Sequence, residues 1–110
     1  MLDDLIMPPL PSRPMPSLLS EQDIMSKLAT LKGWRLEGDF LVRIFEFDDF
    51  AKGISFVNRV ARVAERLQHH PDIMVRYTTV KLLIQTHSAG GITPKDFQLA
   101  SAIERSLKRH

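Results

Sequence analysis

Three histidines make the strongest chemical pattern in this chain. His69 and His70 are adjacent, and His87 lies further along, at the end of a predicted strand. Two carboxylates, Glu65 and Asp96, flank the three in the sequence. An imidazole has an unperturbed pKa of about 6.5, so it can both donate and accept protons near neutral pH. The pattern therefore favours general acid–base catalysis at a shared site.

A metal site is an alternative use of the histidines, with Asp72 or Glu65 as a further ligand. Adjacent residues on an extended chain point apart, and the chain lacks both a His-x-His pair and two histidines four residues apart. We therefore expect no metal. Cysteine is absent, which excludes a disulfide framework and a thiolate nucleophile, and no Gly-x-Ser-x-Gly motif is present. The fourth histidine, His110, is terminal and a poor candidate, so we expect acid–base chemistry without a cofactor.

The composition is that of an ordinary soluble globular domain. The chain has 110 residues, of which 44% are hydrophobic and 25% charged, and its net charge is +2. Its longest basic run is Lys108-Arg109, which is too short to indicate direct nucleic-acid binding. No stretch has the roughly 18 apolar residues of a membrane helix, and Asp3 and Asp4 stand where a secretory signal carries basic residues. We expect a cytoplasmic protein with no nucleic-acid or membrane partner.

The elements that would position the histidines form one predicted domain at residues 20–110. Residues 1–19 contain five prolines, which prevent helix propagation, so we interpret this segment as a disordered, proline-rich arm. Ser20 suits the N-cap of a first helix at 21–32. Gly33 stands where a left-handed residue commonly ends a helix.

Two predicted hairpins and a long second helix follow. The strands are predicted at 34–36 and 40–47, around a turn at 37–39, and at 73–77 and 80–86, around a turn at 78–79. The second helix begins after a cap at Asp48 or Asp49. It must end near His69, because Pro71 disfavours helical geometry in the residue before it.

The third helix has the clearest start signal. Thr93 suits the N-cap, Pro94 the first helical position and Asp96 the third, where an acid completes reciprocal capping. The inward face of this helix consists of Leu99, Ala100, Ile103 and Leu107. The element order α-β-β-α-β-β-α predicts an α+β fold, with a four-stranded antiparallel sheet and the helices packed on one face.

A longer pattern that contains the histidines resembles a family signature. Read along the chain, the pattern is Glu65-x3-His69-His70-Pro71-x5-Tyr77-x9-His87-x8-Asp96. Its residues and gaps are similar to those of the pterin-4a-carbinolamine dehydratases, also called 4a-hydroxytetrahydrobiopterin dehydratases. The resemblance covers residues 20–107 and includes Gly33-Trp34, Phe45-x-Phe47-x-Asp49-Phe50, Thr86-His87, Gly91-x-Thr93 and Leu99-Ala100.

The resemblance implies an enzyme, a hydro-lyase that removes water from a 4a-hydroxytetrahydropterin and yields a quinonoid dihydropterin in tetrahydrobiopterin recycling. By the same resemblance His69 and His87 form the acid–base pair, and His70 holds the pterin in the catalytic site. The substrate-binding set that it implies is Trp34, Gln68, His69, His70, Pro71, Gln85, Thr86, His87 and Ser88. The two flanking carboxylates would support the site, and no cofactor is implied. Gln68 departs from the family, in which an acid often stands at this position.

Several of these residues also have a purely structural interpretation. Glu65 is one helical turn before His69, so it could orient an imidazole or form only a surface ion pair. Asp96 is explained by helix capping alone, and we favour that structural role. Trp34 and Tyr77 are expected as core aromatics, although Trp34 could instead stack on a flat pterin.

The resemblance leaves a second function open and implies assembly. The alternative to catalysis is a dehydratase-like protein that acts as an oligomerising partner, or coactivator, of a regulatory protein. A four-stranded sheet leaves edge strands with unpaired backbone groups. We therefore expect a homodimer or homotetramer, with a small-molecule pterin as the other partner.

Overall fold

Three α-helices and four strands make up residues 17–108, the part of the chain that this computed structural model describes. The helices are α1 (Glu21–Leu28), α2 (Phe50–Leu67) and α3 (Pro94–Leu107). The strands are β1 (Arg35–Glu37), β2 (Phe40–Glu46), β3 (Asp72–Arg76) and β4 (Thr79–Ile84). Most of the predicted arm, residues 1–16, lies outside the described residues, as does His110. No helix within residues 17–108 is long and apolar enough to cross a bilayer.

All neighbouring strands of the sheet are antiparallel, in the order β1-β2-β4-β3. Strands β1 and β2 form one hairpin, and β3 and β4 form the other. The central pair, β2 and β4, joins the two hairpins and aligns Leu41 with Ile84. The predicted α+β fold with a four-stranded antiparallel sheet is therefore confirmed.

The core lies between the helices and one face of the sheet. Side chains from alternate positions of the strands pack there against side chains from helically spaced positions of the helices. Its most buried large side chains, none more than 1% exposed, are Leu41, Leu82, Ile84, Phe56, Val60, Leu99 and Ile103. The Phe56 ring packs against Phe45 and Phe47, with centroids 4.6 and 5.1 Å away. Each Å² of apolar surface removed from water in this way contributes about 25 cal/mol to stability.

The helix caps predicted from the sequence are present. The Ser20 hydroxyl accepts a hydrogen bond from the Asp23 backbone N–H at 3.1 Å. Of the two candidate caps for α2, Asp49 is the one used, and its Oδ1 accepts from the Lys52 N–H at 2.8 Å. Helix α3 has the complete capping box with proline in its first turn. Local side-chain chemistry thus determines where each helix begins.

The first helix ends earlier than predicted, at Leu28 rather than at residue 32. Beyond it, the backbone amides of Thr30 and Leu31 bond three residues back, as in a tightened last turn. The Thr30 hydroxyl also donates to the Lys27 carbonyl at 2.7 Å, a local bond that competes with helix continuation. Gly33, with φ of +87°, then turns the chain into β1.

The second hairpin turns one residue earlier than predicted, which moves Tyr77 out of the strand. β3 ends at Arg76 and β4 begins at Thr79, so the turn is Tyr77-Thr78. Tyr77 has φ of +53°, a positive value of the kind that tight hairpin turns require. The prediction that Tyr77 is a core aromatic is wrong, because a side chain at the tip of the turn points into solvent and is 74% exposed.

The chain is fixed in place before α1 begins. Leu19, the last residue of the predicted arm, donates its backbone N–H to the Ile92 carbonyl at 2.9 Å. Its side chain packs against the core, whereas Leu18 is 57% exposed. This contact joins the beginning of the described chain to the segment just before α3.

A polar cluster ties β2 to α3 beside the core. Glu104 accepts a hydrogen bond from the Trp34 indole at 2.8 Å and forms an ion pair with Arg43. The Arg43 guanidinium carbon lies 4.4 Å from the centroid of the Phe45 ring. A Cβ atom added to Gly33 would lie 2.8 Å from Arg43 Nε. The cluster therefore leaves no room for a side chain at residue 33.

Gly33→Ala should destabilise the protein more than Gly38→Ala does. Both glycines have positive φ, +87° and +58°, so alanine at either position costs backbone strain of about 1 kcal/mol or more. Only at Gly33 must the added methyl group also displace Arg43, and overpacking typically costs about 1–3 kcal/mol. A Cβ atom at Gly38 would have no neighbour within 4 Å, which makes this variant the matched control. Urea denaturation compares the two, and equal losses of unfolding free energy would contradict the close approach.

Candidate active site

The C-terminus of α2 sets the positions of the adjacent histidines. Gln68 follows the helix in the left-handed region, with φ of +52°, and the His69 backbone N–H reaches back to the Ala64 carbonyl at 3.1 Å. This arrangement satisfies a carbonyl group that the helix end would otherwise leave free. The Gln68 side-chain amide donates to the Glu65 carbonyl at 2.7 Å. The amide at residue 68 thus caps the helix as a donor, which an ionised acid cannot do.

The loop after β4 sets the position of the third histidine. His87 begins a short 3-10 turn that ends at Gly90, where φ is +72°. The Thr86 N–H donates to the Gly91 carbonyl at 3.0 Å, and the Gly90 N–H donates to the Thr86 carbonyl at 3.0 Å. The loop is therefore closed on itself by backbone hydrogen bonds, which fix the backbone at His87 and Ser88.

Asp96 of α3 is completely buried and has three hydrogen-bond partners. Its Oδ1 lies 2.6 Å from His69 Nε2. Its Oδ2 accepts from the Thr93 backbone N–H and from the Thr86 hydroxyl, each at 2.8 Å. Burying a carboxylate is costly unless hydrogen bonds compensate for the lost water, and here three donors do so. The capping role predicted for Asp96 is present, and the same carboxylate also holds His69.

The hydrogen bonds around Asp96 have only one possible direction while this group is a carboxylate. A carboxylate can only accept, so the Thr86 hydroxyl proton points to Oδ2. The Thr93 hydroxyl, 2.8 Å from that of Thr86, must then donate to it, while accepting from the Lys95 N–H at 3.2 Å. For the same reason a neutral His69 carries its proton on Nε2. Its Nδ1 is then a bare acceptor.

His70 has a different carboxylate partner in a different environment. Its Nε2 lies 2.6 Å from Glu65 Oε2, and the two side chains are 55% and 70% exposed. Surface pairs contribute about 0–1 kcal/mol to stability, so the contact orients the ring more than it stabilises the fold. Glu65 thus forms a surface pair that also orients an imidazole, and that imidazole is His70 rather than His69.

The three histidines line one cavity of about 300 Å³. All its lining residues have polar side chains, and they are Gln68, His69, His70, Gln85, Thr86, His87, Ser88 and Lys95. The structure thus brings together the predicted substrate-binding residues except Trp34 and Pro71. A larger cavity of about 530 Å³ is lined by residues of α1, α2 and α3 but by no histidine or carboxylate. The smaller cavity is therefore the one equipped for proton transfer to a polar ligand.

The observed cavity lining differs from the predicted site at Trp34 and Lys95. Trp34 is only 6% exposed, its ring meets Phe45 edge-on with centroids 6.2 Å apart, and its indole N–H donates to Glu104. It is a core aromatic, and the structure does not bring it to the cavity.

Lys95 lines the cavity but is absent from the predicted set. The sequence feature that could have identified Lys95 is its position in the first turn of a predicted helix, where acidic side chains are favoured over basic ones.

Metal ligands are not grouped in the part of the chain that the structure describes. Within residues 17–108, no three His, Cys, Asp or Glu side chains are placed to hold an ion together. The Nε2 atoms of His69 and His70 each face a carboxylate of their own. Metal-independent chemistry stays a prediction, and the arrangement is suited to proton transfer.

Two solved structures share this fold. One, described as a transcriptional coactivator/pterin dehydratase from Brucella melitensis, has a TM-score of 0.76 and 32% sequence identity, and the match covers 80% of this chain and 96% of that one. The other is a pterin dehydratase-like protein described as a RuBisCO assembly factor in the alpha-carboxysome. It has a TM-score of 0.57 and 22% identity over 66% of this chain and 87% of that one, so it is evidence for the fold alone.

The sequence comparisons agree with the fold. A relative from Thermomicrobium roseum is 50% identical over 82 residues, which are 74% of this chain and 88% of the relative. A relative from Mycobacteroides abscessus is 47% identical over 93 residues, 84% of this chain and 99% of the relative. Both are named "Putative pterin-4-alpha-carbinolamine dehydratase". The family described as Pterin 4 alpha carbinolamine dehydratase matches residues 17–106, and the chain belongs to it.

Proposed function

We propose that this protein is a 4a-hydroxytetrahydrobiopterin dehydratase that uses histidine acid–base catalysis. The observation that carries the proposal is the convergence of three histidines on one polar cavity, with His69 backed by the buried Asp96. Membership of the family supplies the class of reaction. The pathway we propose is tetrahydrobiopterin recycling in the cytoplasm, without a metal or other cofactor.

The reaction is an elimination that moves two protons and no electrons to or from an outside reagent. The C4a–O bond of 4a-hydroxytetrahydropterin breaks, and the hydroxyl group leaves with an added proton as water. N5 loses its proton, and its electron pair forms the C4a=N5 double bond of the quinonoid dihydropterin. The enzyme must therefore supply one acid and one base that act on neighbouring ring atoms.

His69 is suited to be the base. Its Nδ1 is free to accept a proton because Nε2–H points to Asp96, and the carboxylate 2.6 Å away would stabilise the imidazolium that forms. His87, which lines the same cavity, is the candidate acid for the leaving hydroxyl. His70, oriented by Glu65 at the exposed side, would hold the pterin ring. The contact with Asp96 supports the role of His69, whereas the roles of His87 and His70 rest on the resemblance to the family.

A second function has a specific point in its favour. The Brucella melitensis protein, 32% identical to this chain, is described as a transcriptional coactivator as well as a pterin dehydratase. The alternative for this chain is a dehydratase-like partner of a regulatory protein. Such a role requires a binding surface but no particular histidine, so the variants below separate the two functions.

Replacing His69 or His87 by alanine should slow turnover by about 10²–10⁴-fold, the usual contribution of one general acid or base. His70→Ala should chiefly raise KM, because its proposed role is binding. Stopped-flow absorbance of water loss from a synthetic 4a-hydroxytetrahydropterin measures both parameters. Circular dichroism shows whether each variant folds.

His110→Ala is the control for these variants, since we expect the terminal histidine to have no role. If His69→Ala and His87→Ala both fold and keep the wild-type rate, the acid–base assignment is wrong. In that case the function as a regulatory partner becomes the better proposal.

Asp96→Asn should separate the positioning of His69 from the capping of α3. The asparagine carbonyl can still accept from the Thr93 N–H, but the charge that would stabilise imidazolium is gone. We expect kcat to fall by about 10²-fold or more, with KM nearly unchanged. The matched control is Thr93→Ser, which keeps the capping hydroxyl and should keep the rate. A loss of stability with an unchanged kcat would show that Asp96 is only a cap.

We propose that the protein assembles through strand β3. The other edge strand, β1, has only three residues and carries Arg35 and Glu37, and short charged edges discourage pairing. β3 has five residues, and its side chains Met74 and Val75 are 57% and 39% exposed. A second copy of the chain could extend the sheet there and cover these side chains.

The expected species in light scattering is a multiple of the 12.6 kDa chain. Met74→Lys should shift it toward monomer, because a lysine covered by a second copy at this strand would lose part of its hydration. Ile44→Lys is the matched control, since Ile44 is in register with Met74 across β4 on the same face of the sheet but lies on the central strand β2. A wild-type monomer at micromolar concentration, or equal effects of the two variants, would contradict assembly through β3.

A further inference from the structure

The candidate active site contains one lysine and no carboxylate in its lining. Of the residues around the cavity, only Lys95 is a lysine or arginine. The nearby carboxylates have other partners, Asp96 behind His69 and Glu65 against His70. Within residues 17–108, Lys95 forms no ion pair. Its ammonium group is therefore available to a ligand.

Lys95 also occupies a position that is locally unfavourable for a cation. It is the second residue of α3, after Pro94, and the N-terminal end of a helix is the positive end of its dipole. Acidic residues stabilise this end and basic residues oppose it. A side chain that lowers local stability beside a functional cavity is expected where that side chain has a functional role.

We propose that Lys95 is a specificity-determining residue that favours pterins whose side chain carries an anionic group, a phosphate or a carboxylate. This inference rests on the proposed dehydratase reaction, and it replaces the neutral side chain of tetrahydrobiopterin by an anionic one as the preferred form of the substrate. The two proton transfers at C4a and N5 are assigned to imidazoles, so the reacting ring atoms do not require Lys95. An anionic side chain would meet the ammonium group of Lys95, and the cavity lining contains no carboxylate to repel it.

The experiment compares two synthetic 4a-hydroxytetrahydropterins that share the ring. One has a neutral dihydroxypropyl side chain, and the other has the same side chain as a phosphate ester. For the wild-type protein we expect kcat/KM to be about tenfold higher for the phosphate ester, the effect of one charge-assisted hydrogen bond at a partly exposed site. The preference should weaken as ionic strength rises.

The ratio of the two kcat/KM values is the readout for the variants. Lys95→Met keeps the length of the side chain without its charge and should bring the ratio close to one, whereas Lys95→Arg should keep the preference. Lys27→Met is the matched control, because it removes a charge from a helix residue that does not line this cavity. It should leave the ratio unchanged. A third substrate with a carboxylate in place of the phosphate shows which anion is preferred.

The possible failures are distinguishable. If both substrates lose water but the wild-type ratio is near one, or if Lys95→Met keeps the wild-type ratio, the inference is wrong and the proposed function stands. If Lys27→Met lowers the ratio as much as Lys95→Met does, the effect comes from overall charge and the inference is again wrong. Loss of water from neither substrate would overturn the proposed function and this inference together.

Discussion

The hydrogen bonds of one buried carboxylate hold the candidate site together. Asp96 is bonded to His69, two residues after the end of α2, to the segment after β4 and to the cap of its own helix. Without those donors its burial would cost several kcal/mol, so the three elements must meet at this point for the fold to be stable. The same requirement fixes the ring of His69. The stability of this region and the orientation of His69, the proposed base, therefore depend on a single side chain.

The adjacent histidines show how different surroundings suit identical side chains to different roles. Each imidazole has a carboxylate 2.6 Å away, yet the His69 side chain is 13% exposed and that of His70 is 55% exposed. Charge interactions are stronger where water is excluded. The His69 pair is thus suited to stabilise a charge formed during a reaction, whereas the His70 pair is suited to orient a ring at the entrance.

Local signals made much of this structure predictable from the sequence. The capping residues located the start of α3, and runs of aromatic and branched residues around short turns identified the strands. The partners of the two carboxylates were not predictable, because Asp96 and His69 meet only when α3 packs beside the end of α2. Helical spacing placed Glu65 near His69, but the left-handed residue at 68 redirects the chain and brings His70 to it instead. The sequence did not show that Tyr77 is exposed at a turn and Trp34 is buried in the core. Tertiary packing decides this difference, and residue spacing carries no information about it.

The hydrogen bonds from the Lys95 amide through Thr93 and Thr86 to Asp96 make the first turn of α3 part of the network that orients His69. Thr93 and Asp96 are fully buried, so opening this turn would also break the bonds of Asp96 to His69 and Thr86, which belong to two other segments. Regions that open early have few buried contacts, and this helix end is not such a region. The orientation of His69 is therefore expected to persist on heating until the fold itself unfolds.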